Sequence, residues 1–274
     1  MRTYMLVFTI FIMLLSAAVN AGLVVRMNEE TKDMNIQSKQ TMYIENDRLR
    51  MEMSGENEYQ TIIFRGDKKV FWVVDSKKKS YFEMTQDDLV KLKSQMDNMQ
   101  QMMMEQMKNM PEEQRKMMES MMPTNMTNQK KQKTTYVKKA GGVKVGKWTT
   151  KHYEGTTNGK KSDELWTADW SQLGFERSEF SVMTKMADFF SAISQEASDF
   201  MKVGSADWEK EMGISGMPVR WLDYLEGGGT SEGNIEDISR KDLESSLFEL
   251  PAGFSKDHSP WEKMGEGMNP YMQE

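Results

Sequence analysis

The sequence predicts a mainly β domain of the α+β class, in which helices form a second layer on an antiparallel sheet. Three features carry that prediction. Across residues 23–84, short runs rich in β-branched and aromatic residues alternate with clusters of turn formers. Further runs of the same kind begin at Thr134 and at Met217. Two long stretches between them repeat their apolar residues at spacings of three and four, the helical period.

The first six strands are expected at residues 23–27, 34–43, 48–53, 59–64, 69–74 and 80–84. Their separators, such as Glu45-Asn46-Asp47 and Arg65-Gly66-Asp67, hold residues that tolerate turn dihedrals, as an antiparallel meander requires. In KVFWVVD both faces are apolar: Val70, Trp72 and Val74 on one side, Phe71 and Val73 on the other. That strand is therefore expected to be covered twice. The segment that follows is the expected cover. Thr85, ahead of Gln86, Asp87 and Asp88, resembles a capping-box start, and Leu89, Leu92, Met96, Met99, Met103, Met107 and Met110 then trace one helical stripe. Pro111 interrupts the stripe, and a second helix carrying Met117, Met118, Met121 and Met122 is expected to run to Pro123. A lysine-rich connection follows at residues 125–133.

Strands resume at 134–139, 147–153 and 162–170, separated by turns at Gly141-Gly142 and Asn158-Gly159. A helix is expected over 176–203, with Phe180, Met183, Ala187, Phe190, Ala197 and Met201 on its apolar face. The last strands are expected at 217–225, 234–243 and 247–254, with Gly227-Gly228-Gly229 as a hairpin turn. One domain over 22–256 accounts for this order, with the methionine-rich helical segment at 85–126 inside it and a polar flexible tail at 257–274.

Composition narrows the function classes. The formal charge of -6 offers no attraction to phosphate backbones, so nucleic acid is not an expected partner. The absence of cysteine excludes disulfides, thiolate metal sites and thiol nucleophiles. The opening MRTYMLVFTIFIMLLSAAVNA reads as a secretory signal with one basic residue, an apolar core and small residues ending at Ala21. Its apolar run is shorter than the roughly 20 residues that cross a bilayer. Cleavage after Ala21 and a periplasmic or secreted product with no transmembrane span are therefore expected.

Several phrases resemble one family: RLRMEM at 48–53, IIFRGDKKVFWVVDSKKKSYFEMT at 62–85, NMPEEQRKMM in the methionine-rich segment, ELW at 164–166, GMPVRW at 216–221 and LFELPAGF at 247–254. The family is the bacterial exported proteins grouped as domain of unknown function 4412, which looks related to the lipoprotein-carrier (LolA/LolB-like) fold. The resemblance implies a strongly curved antiparallel half-barrel with a Met-rich helical insertion. Helices would cover its concave face, where carriers of that fold hold acyl chains. It implies no activity and no site residue. The lipid-attachment cysteine of anchored relatives is missing, which argues against an anchored acceptor role.

No pattern specifies a reaction. His152 and His258 lack partners at metal-ligand spacing, and nothing indicates that any two of Glu83, Asp163, Glu164 and Asp169 converge as an acid–base pair. The glycines at 227–229 precede no helix, so they make no phosphate loop. The basic run at 129–139 has Tyr136 as its only aromatic, too few for a stacking platform. The 29 methionines are the compositional oddity. Thioethers along one helix face suit Cu(I) or Ag(I), with Met99, Met103, Met107 and Met110 as ligands, or they simply pack as deformable apolar filler. Met102, Met104, Met118 and Met122 lie off the main stripe and would also serve a surface that grips partner proteins. The expected function is thus a non-enzymatic, cofactor-free carrier of a lipid-like or other apolar ligand. Trp72, Phe82, Trp166, Trp221, Met103 and Met107 are its candidate contacts, with strand alternation sending the aromatics to a shared face.

Overall fold

The computed structural model describes residues 21–34, 36–55, 59–108, 110–114, 134–191, 193, 202, 205–225 and 227–258. The expected signal core, the second methionine helix, the lysine-rich connection, the end of the 176–203 helix and most of the tail lie outside the described residues.

The described residues form one open sheet of twelve strands, so the chain is mainly β with a few helices. Two antiparallel meanders compose it. The first is β1 (Gly22–Thr31), β2 (Ile36–Glu45), β3 (Arg48–Ser54), β4 (Tyr59–Arg65), β5 (Val70–Asp75) and β6 (Ser80–Thr85). The second is β7 (Thr135–Val145), β8 (Trp148–Thr157), β9 (Lys160–Ala168), β10 (Met217–Tyr224) and β11 (Thr230–Lys241). Antiparallel pairing of β1 with β11 joins the meanders edge to edge, which puts the first strand of the chain at the centre of the sheet.

Turn chemistry sets most boundaries. Asn158 and Gly159, both at positive φ (55° and 75°), close the two-residue hairpin between β8 and β9, the conformation for which Asn-Gly is suited. The expected turn at Gly141-Gly142 is not a reversal. Both glycines lie inside β7, where Gly142 (φ 77°) belongs to one of two register shifts, and the chain reverses further on, between Val145 and Trp148. β7 is an outer strand, and its bulges together with Lys138, Lys139 and Lys144 blunt it against pairing with another chain.

The principal core lies on one sheet face. α2 (Val182–Phe190) buries Val182, Met186, Ala187, Phe189 and Phe190, positions that recur on one helical stripe. Phe189 meets the ring of Phe64 edge-on at 5.6 Å, and Phe190 meets Phe71 at 4.9 Å. Inward residues of β1 to β3 (Leu23, Val25, Met42, Ile44 and Leu49) complete this cluster together with Trp148, Met217, Val219 and Ile235. The helix expected from Glu176 opens instead as a 3-10 turn, Arg177–Phe180, before α2 begins. A further short helix, α3 (Ala206–Met212), follows beyond the end of the expected 176–203 helix. Ser205 caps its start and Gly213 (φ 69°) ends it, and its Trp208 packs on Tyr153 with Ile214.

The second face of KVFWVVD is covered by an element other than the one expected. Residues 247–254, expected as a strand, form the end of a 3-10 turn (Ser245–Phe248) and an irregular wrap. Leu250 and Phe254 of that wrap pack on Ile63, Val70, Trp72 and Val74. Three arginines hold the wrap. Arg48 stacks over Phe248 at 4.9 Å, Arg50 donates to the Leu247 carbonyl, and Arg65 donates to the Phe248 carbonyl and pairs with Glu249. β12 (Ser255–Lys256) then pairs parallel with β6. Pro251 and Gly253 (φ 79°) explain why the apolar phrase wraps rather than extends.

α1 (Gln86–Lys108) starts as expected: the Asp88 amide donates to Thr85 Oγ1 at 3.2 Å and the Thr85 amide donates back to Asp88 at 2.9 Å. Its first-turn Leu89 is fully buried in the principal core.

Candidate functional site

The four candidate aromatics do not share one face. Phe82 and Trp221 pack at the margin of the principal core. Trp72 belongs to the cluster beneath the C-terminal wrap, where its indole N–H donates to Glu83 at 2.8 Å. Trp166 is clamped between the His152 ring, stacked at 4.6 Å, and the Arg220 guanidinium at 4.3 Å. Register explains the split, because His152, Trp166 and Arg220 form one cross-strand rung while Tyr153, Leu165, Trp221 and Gly233 form the next. Successive rungs point to opposite faces.

The Trp166 face carries an ion network. Glu164 accepts from His152 Nε2 at 2.5 Å, Lys161 at 2.5 Å and Tyr224 at 2.6 Å. Burial opposes its charge, but these three donors outweigh burial and hold its carboxyl at about 2. The network is internally satisfied, which makes it a clamp on β8, β9 and β10.

The Trp221 face is different. Two rungs beyond Trp221, and so on the same face, stand Thr31, Ser231, Asp223, Asp163, Gly155 and Tyr136. Along β1 the same alternation runs from Met27, at the core margin, to Glu29 and Thr31. This face therefore grades from apolar core through Met27 and Trp221 to an acidic rim. Two strand glycines make the grading possible. A Cβ at Gly233 would overlap the Trp221 indole, and one at Gly155 would stand 2.5 Å from both Asp163 carboxylate oxygens. Each large side chain thus lies flat across the neighbouring strand.

The rim is electrostatically frustrated. Ser231 donates to Glu29 at 2.7 Å and Ser162 to Asp163 Oδ2 at 2.7 Å, while the buried Asp163 carboxylate lies over Gly155 and interacts with the Tyr136 hydroxyl. Burial, then the charges of Asp163 and Glu29, push Asp223 up to about 6. Burial and the neighbouring Asp163 also raise the Tyr136 phenol. Because Asp223 binds its proton more tightly folded than unfolded, its stabilising contribution is complete below about pH 4. That contribution is lost as pH rises to about 6. Asp223→Asn should therefore melt about 2–4 °C higher than the wild type at pH 8, allowing for the partial exposure of this side chain, with the two converging near pH 4. Thermal melts at both pH values check this, and equal melting at pH 8 would refute the repulsion.

Sequence alone offers Asp163 and Glu164 no partners and does not single out Asp223 or Glu29. Their convergence depends on register, which no local motif encodes. On α1, Met107 is buried, Met99 and Met103 are half-buried, and Met96, Met102 and Met104 are exposed. Met110 lies just past the helix and half-buried. Among the described residues no three His, Asp or Glu side chains are arranged to hold a metal ion. No helix among them is long and apolar enough to cross a membrane.

A single open twelve-stranded sheet with an aromatic-to-acid face defines a mainly β protein. The chain belongs to the family described as a domain of unknown function, DUF4412, whose model matches residues 84–254. No curated protein matches it. Among solved structures, an uncharacterized conserved protein from Thermus thermophilus aligns over 87% of this chain and 90% of its own, at 8% identity and a TM-score of 0.43. PNGF-II aligns over 89% of this chain but 32% of its own, at 8% identity and a TM-score of 0.37.

Proposed function

We propose that this chain is an exported, non-enzymatic binding protein whose curved sheet, a half-barrel roofed by helices, holds an apolar ligand against the Trp221 face. The observation that carries the reading is the margin of the principal core, where Met27, Met51, Phe71, Phe82, Val145 and Trp221 remain only partly buried. Partly covered apolar side chains around a packed floor are what a guest would finish burying, at roughly 25 cal/mol per Å². Export is supported by the point at which strand structure begins. Gly22, the residue after the expected cleavage site, opens the central strand, and any larger side chain there would meet the Ile44 carbonyl and Leu243.

Trp221→Ala should weaken uptake of a fluorescent fatty-acid probe by roughly tenfold or more, the value of one well-buried aromatic contact. Titration by fluorescence with circular dichroism as the fold control measures it. Unchanged uptake by a folded variant would remove this face as the site.

A further inference from the structure

From Lys93 to Lys108, the part of α1 beyond its anchored start, every apolar side chain is a methionine: Met96, Met99, Met102, Met103, Met104 and Met107. Leucine forms helices as readily and supplies similar apolar bulk, so a helix that needed only bulk would mix the two. What methionine adds is a thioether, which oxidants convert to a sulfoxide. The structure sorts these sulfurs by access. Met102 is 61% exposed, Met104 39% and Met96 37%, whereas Met42, Met84, Met186 and Met217 of the principal core are 5–6% exposed. Among the described residues α1 gives that core Leu89 alone, so its exposed methionines hold no part of the sheet together. Their neighbours Asp97, Asn98, Gln101 and Glu105 are polar and exposed, a surface that accommodates a polar sulfoxide. The chain also has no cysteine to react first.

We infer that α1 is an oxidant-consuming surface, where Met96, Met102 and Met104 intercept hypohalous acids that would otherwise reach the core methionines. The sulfur gives an electron pair to the chlorine of hypochlorous acid, the Cl–O bond breaks and hydroxide leaves. Water then adds its oxygen to the chlorosulfonium as chloride departs, so each event yields one sulfoxide, one chloride and one proton. Sulfur is oxidised by two electrons and chlorine is reduced by two. The same oxygen on a core sulfur would set a polar group among packed apolar side chains, so reaction on α1 spares the fold. This inference does not depend on the apolar-ligand reading.

The test treats the full chain with fewer equivalents of hypochlorous acid than it has methionines, locates the sulfoxides by peptide mass mapping and follows each sample by urea unfolding. Met96, Met102 and Met104 should be oxidised about tenfold more than Met42, Met84, Met186 and Met217, in line with their exposures, while the urea midpoint stays at its untreated value. A Met96→Leu/Met102→Leu/Met104→Leu variant, which keeps the helix, should start from the wild-type midpoint. At the same dose it should gain sulfoxide in the core and unfold at lower urea. An even spread of oxygen over exposed and core sulfurs would overturn the inference, as would a wild-type midpoint that falls while only α1 is oxidised. A triple variant whose core stays as unmodified as that of the wild type would show that these methionines shield nothing, and would overturn it too.

Discussion

Phe64→Ala should destabilise the domain by about 3–5 kcal/mol, the range for emptying a fully buried aromatic position. Phe64 is 1% exposed and meets Phe189 of α2 edge-on, so its ring joins the first meander to the helix packed on it. Phe189 also touches Phe190, which reaches Phe71, so one truncation loosens a chain of three ring contacts. Collapse of the surroundings can recover little of this, because the sheet backbone on one side is held by its ladders. Urea unfolding measures the effect as a shift in midpoint at constant slope. A loss below about 1 kcal/mol would mean that α2 does not pack on the sheet in solution.

Gly233→Ala should cost about 1–3 kcal/mol and also displace Trp221. The backbone at Gly233 is ordinary strand, so the new methyl group itself does the damage, by occupying the space of the indole. Trp221 would have to swing off the floor, and ligand uptake should fall as far as it does in Trp221→Ala. The paired readouts are urea unfolding and probe titration. Full stability together with full uptake would show that the indole does not lie across the strand. Asp223→Asn runs the other way, gaining stability at neutral pH by removing a charge that burial and its acidic neighbours oppose.

The strand meander is legible in the sequence because its signals are local. Each of β1 to β11 overlaps a run with period-two or β-rich character, and Asn158-Gly159 closes its hairpin where the dipeptide predicts. The start of α1 is legible for the same reason, since Thr85 and Asp88 are three residues apart and cap the helix by themselves. Local pattern misleads where a residue has two possible uses. Gly142 serves a bulge instead of a turn, and residues 247–254 are apolar enough for a strand but wrap a sheet face instead.

The sequence by itself determined the class of the fold, the strand order of the first meander, the family phrases and the absence of thiol chemistry, because each depends on residues close together in the chain. Tertiary structure alone decided which aromatics face together and that Glu29, Asp163 and Asp223 gather beside Trp221. Those groupings rest on the pairing of β1 with β11 across most of the chain and on the bulge in β10. A shift of one residue in register sends every side chain of a strand to the opposite face, so no inspection of local pattern can place them.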